Sequence, residues 1–293
     1  MKSSRMIASA TDLAPRQGEP PRVAAVHDLS CYGRCALTAV LPTLSVCGCQ
    51  AIPLPTALLS TQTGEFANFS FLDLTNEMQR ILAHWQALEL PFSAVYSGFL
   101  GSAAQADTVL HLPELLSGKP LLFVDPVLGE NGALYPTVTT EQVEAMRRLA
   151  ARADVLTPNL TEAAFLLSDP SVLRPSVRDL PRILHALAPN GGKRVVLTGI
   201  PLEDDQLGDA SLDLDGTYEL YTQPRIPAHY PGTGDLFGSV LLGKLLHGKS
   251  LGDSVAIAAA FVGRAIAHTH AAGVPAPQGV WLEPLLWKLA NHS

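Results

Sequence analysis

PGTGDLFG, residues Pro231 to Gly238, sets a carboxylate at the mouth of an apolar helix, behind two glycines. Downstream, Leu236, Phe237, Val240, Leu241, Leu245 and Leu246 recur at helical spacing, which predicts a helix from about Thr233 to His247. The first N–H groups of a helix have no partner within it, and with the helix dipole they attract an anion. Gly232 and Gly234 leave the backbone open to a phosphate, and Asp235 is placed to accept the proton of an attacking hydroxyl. Aspartate is also a preferred N-cap, so the segment alone reads equally as a cap or as a phosphoryl-transfer site.

The sequence on either side decides what the glycine turn belongs to. Apolar runs at Val23–His27, Ala51–Leu54, Ala94–Ser97, Pro120–Asp125, Val155–Thr157 and Arg194–Thr198 read as strands. Between them, Arg34–Val46, Asp73–Leu88, Ala103–Leu116, Glu141–Ala151 and Val177–Leu187 read as helices, and another begins near Asn159. Strand–helix–strand repetition requires parallel pairing. Leu121–Val124 and Val195–Leu197 are apolar without alternation, as strands covered on both faces are. The expected fold is α/β: a Rossmann-like, doubly wound, mostly parallel central sheet with helices on both faces. Gly216–Tyr221 and Arg225–Pro227 read as a late hairpin or edge pair. The helices Leu251–Ala271 and Val280–Ala290 then close the chain. Residues 1–21 lack apolar periodicity and read as a disordered extension, with the folded domain spanning 22–293.

The chain has 293 residues, 47% of them hydrophobic, and a formal charge of -7. No Lys/Arg cluster stands out, which argues against nucleic acid or an anionic membrane surface as partner. No apolar stretch reads as membrane-spanning and the first 21 residues lack a signal-peptide core, so the expected location is the cytoplasm. Cys31, Cys35, Cys47 and Cys49 lie close together, but their spacings do not match a zinc knuckle, and reduced thiols are expected.

In an open α/β sheet, ligands collect beyond the carboxyl ends of the strands. The polar residues there are His27, Asp28 and Ser30, then Ser97 and Gly98, Asp125, Thr157 with Asn159 and Glu162, and Thr198 with Gly199. Asp125 and Glu162 are the carboxylates best placed to organise Mg²⁺, which keeps several waters and few protein ligands. Each also has a structural reading: Asp125 as a turn before Pro126, Glu162 and Asn159 as first-turn acid and N-cap. His229 and Tyr230 are placed to shape the site or to pack beside it. His268 and His270 do not share a helical face and read as surface or packing residues. No GxSxG elbow, Walker A sequence or early GxGxxG offers a competing chemistry.

The segments HDLSCYGR (27–34), PLPTALLSTQTG (53–64), YSGFLGS (96–102), VDPVLGENG (124–132), TPNLTEA (157–163) and PGTGDLFGS (231–239) together resemble the ribokinase-like superfamily. Within it the chain is most similar to the pyridoxal or pyridoxamine kinases. The early GG motif of sugar kinases and the AGSDxSGGAG opening of hydroxymethylpyrimidine kinases are missing. The resemblance implies ATP-dependent phosphorylation of the 5'-hydroxymethyl group of a B6 vitamer with Mg²⁺, and a homodimer. It makes Asp235 the base and Gly232, Thr233 and Gly234 the anion hole. It places Asp125, Thr157, Asn159, Glu162 and Thr198 at the nucleotide, with Asp125 and Glu162 on the metal, and Thr56, Asp28 and Phe99 at the substrate. Asp28 stands where many relatives have serine, and Phe99 where they have tyrosine. An acidic side chain there can pair with a ring nitrogen or an amine, which favours pyridoxamine or a related amine. The alternatives are a hydroxymethylpyrimidine or related small-molecule kinase, and a catalytically weak B6-binding regulatory protein.

Overall fold

The computed structural model describes residues 18–290, so most of the expected N-terminal extension, 1–17, lies outside the described residues. The first strand, β1, runs Arg22–Tyr32, followed by helix α1 (Leu37–Val46) and β2 (Gln50–Thr61). Then come β3 (Phe71–Asp73), α2 (Thr75–Ala87), β4 (Ala94–Ser97), α3 (Ala103–Leu110), α4 (Leu112–Leu115) and β5 (Leu121–Val124). A small hairpin, β6 (Gly129–Glu130) and β7 (Ala133–Leu134), leads to α5 (Thr140–Arg152), β8 (Val155–Leu156), α6 (Leu160–Leu167) and α7 (Leu180–Leu187). The chain continues through β9 (Arg194–Pro201), β10 (Gln206–Leu212), β11 (Tyr218–Pro224), α8 (Thr233–Leu246) and α9 (Leu251–Ala271), and the last element among the described residues is α10 (Trp287–Ala290).

Nine strands form one sheet in the order β11-β10-β9-β8-β5-β4-β1-β2-β3. The stretch from β9 to β2 is parallel, and β10, β11 and β3 add antiparallel edges. Period-two alternation sends neighbouring residues of each central strand to opposite cores. Val23, Ala25, Tyr96 and Phe123 meet α1, α8 and α9 on one face. Ala24, Val26, Val95 and Val124 meet α2, α3, α5, α6 and α7 on the other. The expected doubly wound α/β architecture is therefore present. Because β1 pairs with β2 on one side and β4 on the other, the strand order reverses at β1, and a crevice opens there past the carboxyl ends.

Several boundaries differ from the sequence expectation. β1 extends to Tyr32, so His27, Asp28 and Ser30 lie within the strand and not in a loop beyond it. β2 runs on to Thr61 despite Pro53 and Pro55. β3 covers only Ala57 to Leu59, which leaves an open edge beside both prolines, where a missing N–H costs no ladder bond. β3 and β10 were not expected. QLGDASL is poor in β-branched residues and gains its strand identity from pairing with β9 and β11. The late hairpin partner is this upstream strand and not Arg225–Pro227. The expected helix Ala103–Leu116 breaks at His111, ahead of Pro113. Helical structure at the C-terminal end begins only at Trp287. Helix α9 is long and apolar enough to cross a membrane by length and composition, contrary to the sequence reading. Half of its apolar window is buried against α8 and the sheet, which is how a core helix passes that test.

Candidate active site

Helix α8 starts on Gly232, whose φ of 84° lies in the left-handed region. A Cβ there would stand 2.1 Å from the carbonyl oxygen of Arg34, so only glycine lets the turn nest against the β1–α1 connection. The first intrahelical bond runs from Leu236 N–H to the Gly232 carbonyl at 3.0 Å. The N–H groups of Thr233, Gly234 and Asp235 precede it and point out of the helix end. The feature read from PGTGD is therefore an open helix terminus in the wall of a cleft of about 630 Å³.

Asp235 does not spend its carboxylate capping its own helix. Its Oδ2 accepts the N–H of Ala36 at 2.7 Å, across the cleft floor. Ala36 adopts φ 48° and ψ -137°, a conformation alanine rarely takes, to aim that donor. His27 Nδ1 lies 3.6 Å from Asp235 Oδ1. The backbone carbonyl of Asp235 accepts from Ser239 Oγ at 2.6 Å and from Tyr96 Oη at 3.4 Å, which fixes the turn from behind.

Asp125 follows β5 and faces this turn; a Cβ on Gly234 would sit 3.7 Å from its Oδ2. It is buried, and desolvation first, then the charge of Asp235, push its carboxyl well above the usual range. Among the described residues no hydrogen-bond donor reaches its side chain. Glu162 is buried too and raised for the same leading reason, with Asp125 adding repulsion. Its oxygens are partly committed, because Oε2 takes the N–H of Asn159 at 2.8 Å and Oε1 that of Leu128 at 3.3 Å. Asn159 Oδ1 returns a bond from the N–H of Glu162 at 2.9 Å, completing a capping box at the start of α6. Asn159 Nδ2 also holds the Gly129 carbonyl at 3.0 Å, tying the β6–β7 hairpin to the helix. Thr157 and Thr198 line the same wall, their hydroxyls 3.5 Å from the carbonyls of Val124 and Pro158.

At the other end of the cleft stand Asp28 and Phe99. The β1–β2 ladder slips between His27 and Leu29, a bulge-type irregularity that turns Asp28 towards the opening. Ser30 Oγ donates to Asp28 Oδ2 at 2.8 Å. Burial pushes the Asp28 carboxyl up to about 6, a shift partly offset by that bond and reinforced by the charge of Asp235. Thr56 is placed differently from the other site residues. It is fully buried behind the wall, its hydroxyl donating to the Phe99 carbonyl at 2.9 Å while its own carbonyl accepts from Gln105 Nε2. It can position Phe99, but it does not line the cleft.

Several neighbours of the site carry no signal in the local sequence. Asp209, on the unexpected β10, lines the cleft, accepts the Gly199 N–H at 3.0 Å and is pushed up to about 6 by burial. Ala36 and Tyr96 reach Asp235 only through the tertiary fold. Tyr230 and His229 both line the cleft: Tyr230 is buried with its hydroxyl on the Val274 carbonyl, and His229 faces Glu130 at 3.6 Å. His268 is exposed and rests against Trp281. All four cysteines are free thiols; Cys31 is exposed, and burial raises Cys47 to about 11 and Cys49 to about 12.

Comparison with known proteins gives this arrangement a family. Residues 31–278 match the phosphomethylpyrimidine kinase family. A Bacteroides thetaiotaomicron protein provisionally described as a phosphomethylpyrimidine kinase, in a crystal form with pyridoxal, is 41% identical. It covers 92% of this chain and 96% of its own, with a TM-score of 0.87. Pyridoxal kinase from Lactobacillus plantarum is 36% identical over 92% of this chain and 97% of its own, at a TM-score of 0.85. Pyridoxal kinase of Arabidopsis thaliana is 32% identical over 222 residues, 70% of this chain and 68% of that protein. The chain belongs to the phosphomethylpyrimidine kinase family and is a ribokinase-like small-molecule kinase, transferring phosphate to an alcohol.

Proposed function

We propose that the protein phosphorylates the 5'-hydroxymethyl group of a B6 vitamer with MgATP, for salvage of pyridoxal 5'-phosphate. The observation that carries this reading is the placement of Asp235: a carboxylate held by Ala36 beside an open helix N-terminus, in one cleft with Asp125 and Asp28. Asp235 takes the proton of the hydroxymethyl group, and the oxygen so freed bonds to the γ-phosphorus. The bond from phosphorus to the bridging oxygen breaks, and its electron pair leaves on ADP. The N–H groups of Thr233 and Gly234, with Gly232 shaping the turn, receive the charge that develops on the moving phosphoryl group. Asp125, Thr157, Asn159, Glu162 and Thr198 form the nucleotide side.

The residues present fit Mg²⁺. Asp125 is a buried carboxylate without a donor among the described residues, beside a second negative charge, which is a cation-seeking arrangement. Glu162, with both oxygens already accepting backbone N–H groups, suits contact through water. Bound there, the ion neutralises phosphate charge. At the substrate end Asp28 favours a cationic partner, the amine of pyridoxamine or a protonated ring nitrogen. A hydroxymethylpyrimidine substrate is the second reading, favoured by the family match itself. ATP consumption measured over pyridoxal, pyridoxamine, pyridoxine and hydroxymethylpyrimidine separates the two. Turnover of the pyrimidine alone contradicts the B6 reading.

We also infer a cytoplasmic homodimer. In support, Tyr32, Leu58, Phe71 and Leu72 are exposed apolar residues grouped on the β1–β2–β3 end of the sheet.

A further inference from the structure

His27 is fully buried, and neither of its ring nitrogens has a hydrogen-bond partner. That is an expensive way to fill a core position, since a buried polar atom left without a partner has given up its hydrogen bonds to water for nothing. The ring is nonetheless held in one orientation. It meets Tyr96 edge-on with centroids 4.4 Å apart and planes at 83°. On its other side Gly98 leaves the space that a side chain would take, because a Cβ there would lie 2.1 Å from Nδ1. In this orientation Nδ1 lies 3.6 Å from Asp235 Oδ1, too far for a hydrogen bond and near enough to become one with a small shift.

We propose that His27 is a positioning residue for Asp235. Its Nδ1–H fixes Oδ1 when the reacting groups come together, while the Ala36 N–H fixes Oδ2. Two donors, one on each oxygen, lock the carboxylate plane and still leave a lone pair per oxygen for the substrate proton. Hydrogen bonds around a catalytic group are commonly long before substrate binds and shorten in the reacting complex. The alternative, that His27 merely fills space beside Tyr96, makes the nitrogens irrelevant. The two roles differ at the level of a single atom.

The proposal rests on Asp235 being the base, so the test includes Asp235→Asn beside His27→Leu, His27→Asn and His27→Gln. Each variant is assayed for kcat and KM with the full substrate pair and for Tm. His27→Leu keeps the packing volume and removes the donor. Its kcat is expected to fall by about 10²-fold, the scale of a misplaced catalytic group, with KM for MgATP changed less than about twofold and Tm equal or higher. His27→Asn returns a nitrogen donor at the Nδ1 position and recovers most of the loss; His27→Gln, reaching instead to the Nε2 position, does not. Wild-type kcat in His27→Leu, or equal activity in the Asn and Gln variants, overturns the proposal. If His27→Leu does not fold, the Asn–Gln comparison decides alone. Wild-type activity in Asp235→Asn removes the base assignment and this proposal with it, whereas an inactive Asp235→Asn with a fully active His27→Leu removes only the role of His27.

Discussion

Two residues around the base carry separable costs. Ala36 holds a positive φ so that its N–H can reach Asp235, and a residue in that region stores roughly 1–3 kcal/mol of strain. Ala36→Gly removes the steric part, so we expect a rise in unfolding free energy of about 1 kcal/mol by denaturant titration; a fall would show that the conformation is unstrained. Asp28 faces the substrate end from the β1 bulge, its carboxyl raised by burial. Asp28→Ser removes the charge and keeps a hydrogen-bonding group. The ratio of pyridoxamine to pyridoxal turnover should drop at least several-fold, and an unchanged ratio sinks the charge-pairing idea.

Among the elements, helix termini build the site, and their signals are local enough to be legible in sequence. Asn159 and Glu162 were readable as a cap, and they form a capping box that also ties down the β6–β7 hairpin. Asn159→Ala should lower stability by about 1 kcal/mol and loosen that hairpin, seen as faster amide exchange at Gly129 to Leu134. Gly232 was readable as permissive, but the reason no other residue fits is the Arg34 carbonyl, some 200 positions away in sequence order and invisible to spacing arguments. The same holds for Ala36, His27 and Tyr96, which meet Asp235 only because β1, β4 and α8 converge at the reversal in strand order. β10 escaped notice because its composition is not strand-like, and Asp209 escaped with it. Thr56 carried the family pattern and proved to sit one layer behind the cleft.

At the scale of the whole molecule, the cleft concentrates carboxylates in a chain already at -7. Asp209 illustrates what that does to stability. Its carboxyl is near the ordinary 3.8 when unfolded and about 6 when folded, so between these values the folded state binds the extra proton. Its contribution is therefore neutral below about pH 4, grows unfavourable as pH rises towards 6, and stays so above. Asp209→Asn keeps an oxygen for the Gly199 N–H and removes the charge. Its stability gain over the parent should be near zero at pH 4 and reach at most about 3 kcal/mol at pH 8; a gain that does not grow with pH contradicts the burial argument.

The central claim, that the glycine turn and its aspartate form a phosphoryl-transfer site, rests on Asp235 acting as a base. The direct measurement is steady-state turnover of each B6 vitamer by Asp235→Asn, alongside thermal unfolding and ADP binding of the same protein. The account predicts a loss of kcat of about 10²- to 10⁴-fold with folding and nucleotide affinity retained. An Asn variant that turns over at the parental rate would contradict it.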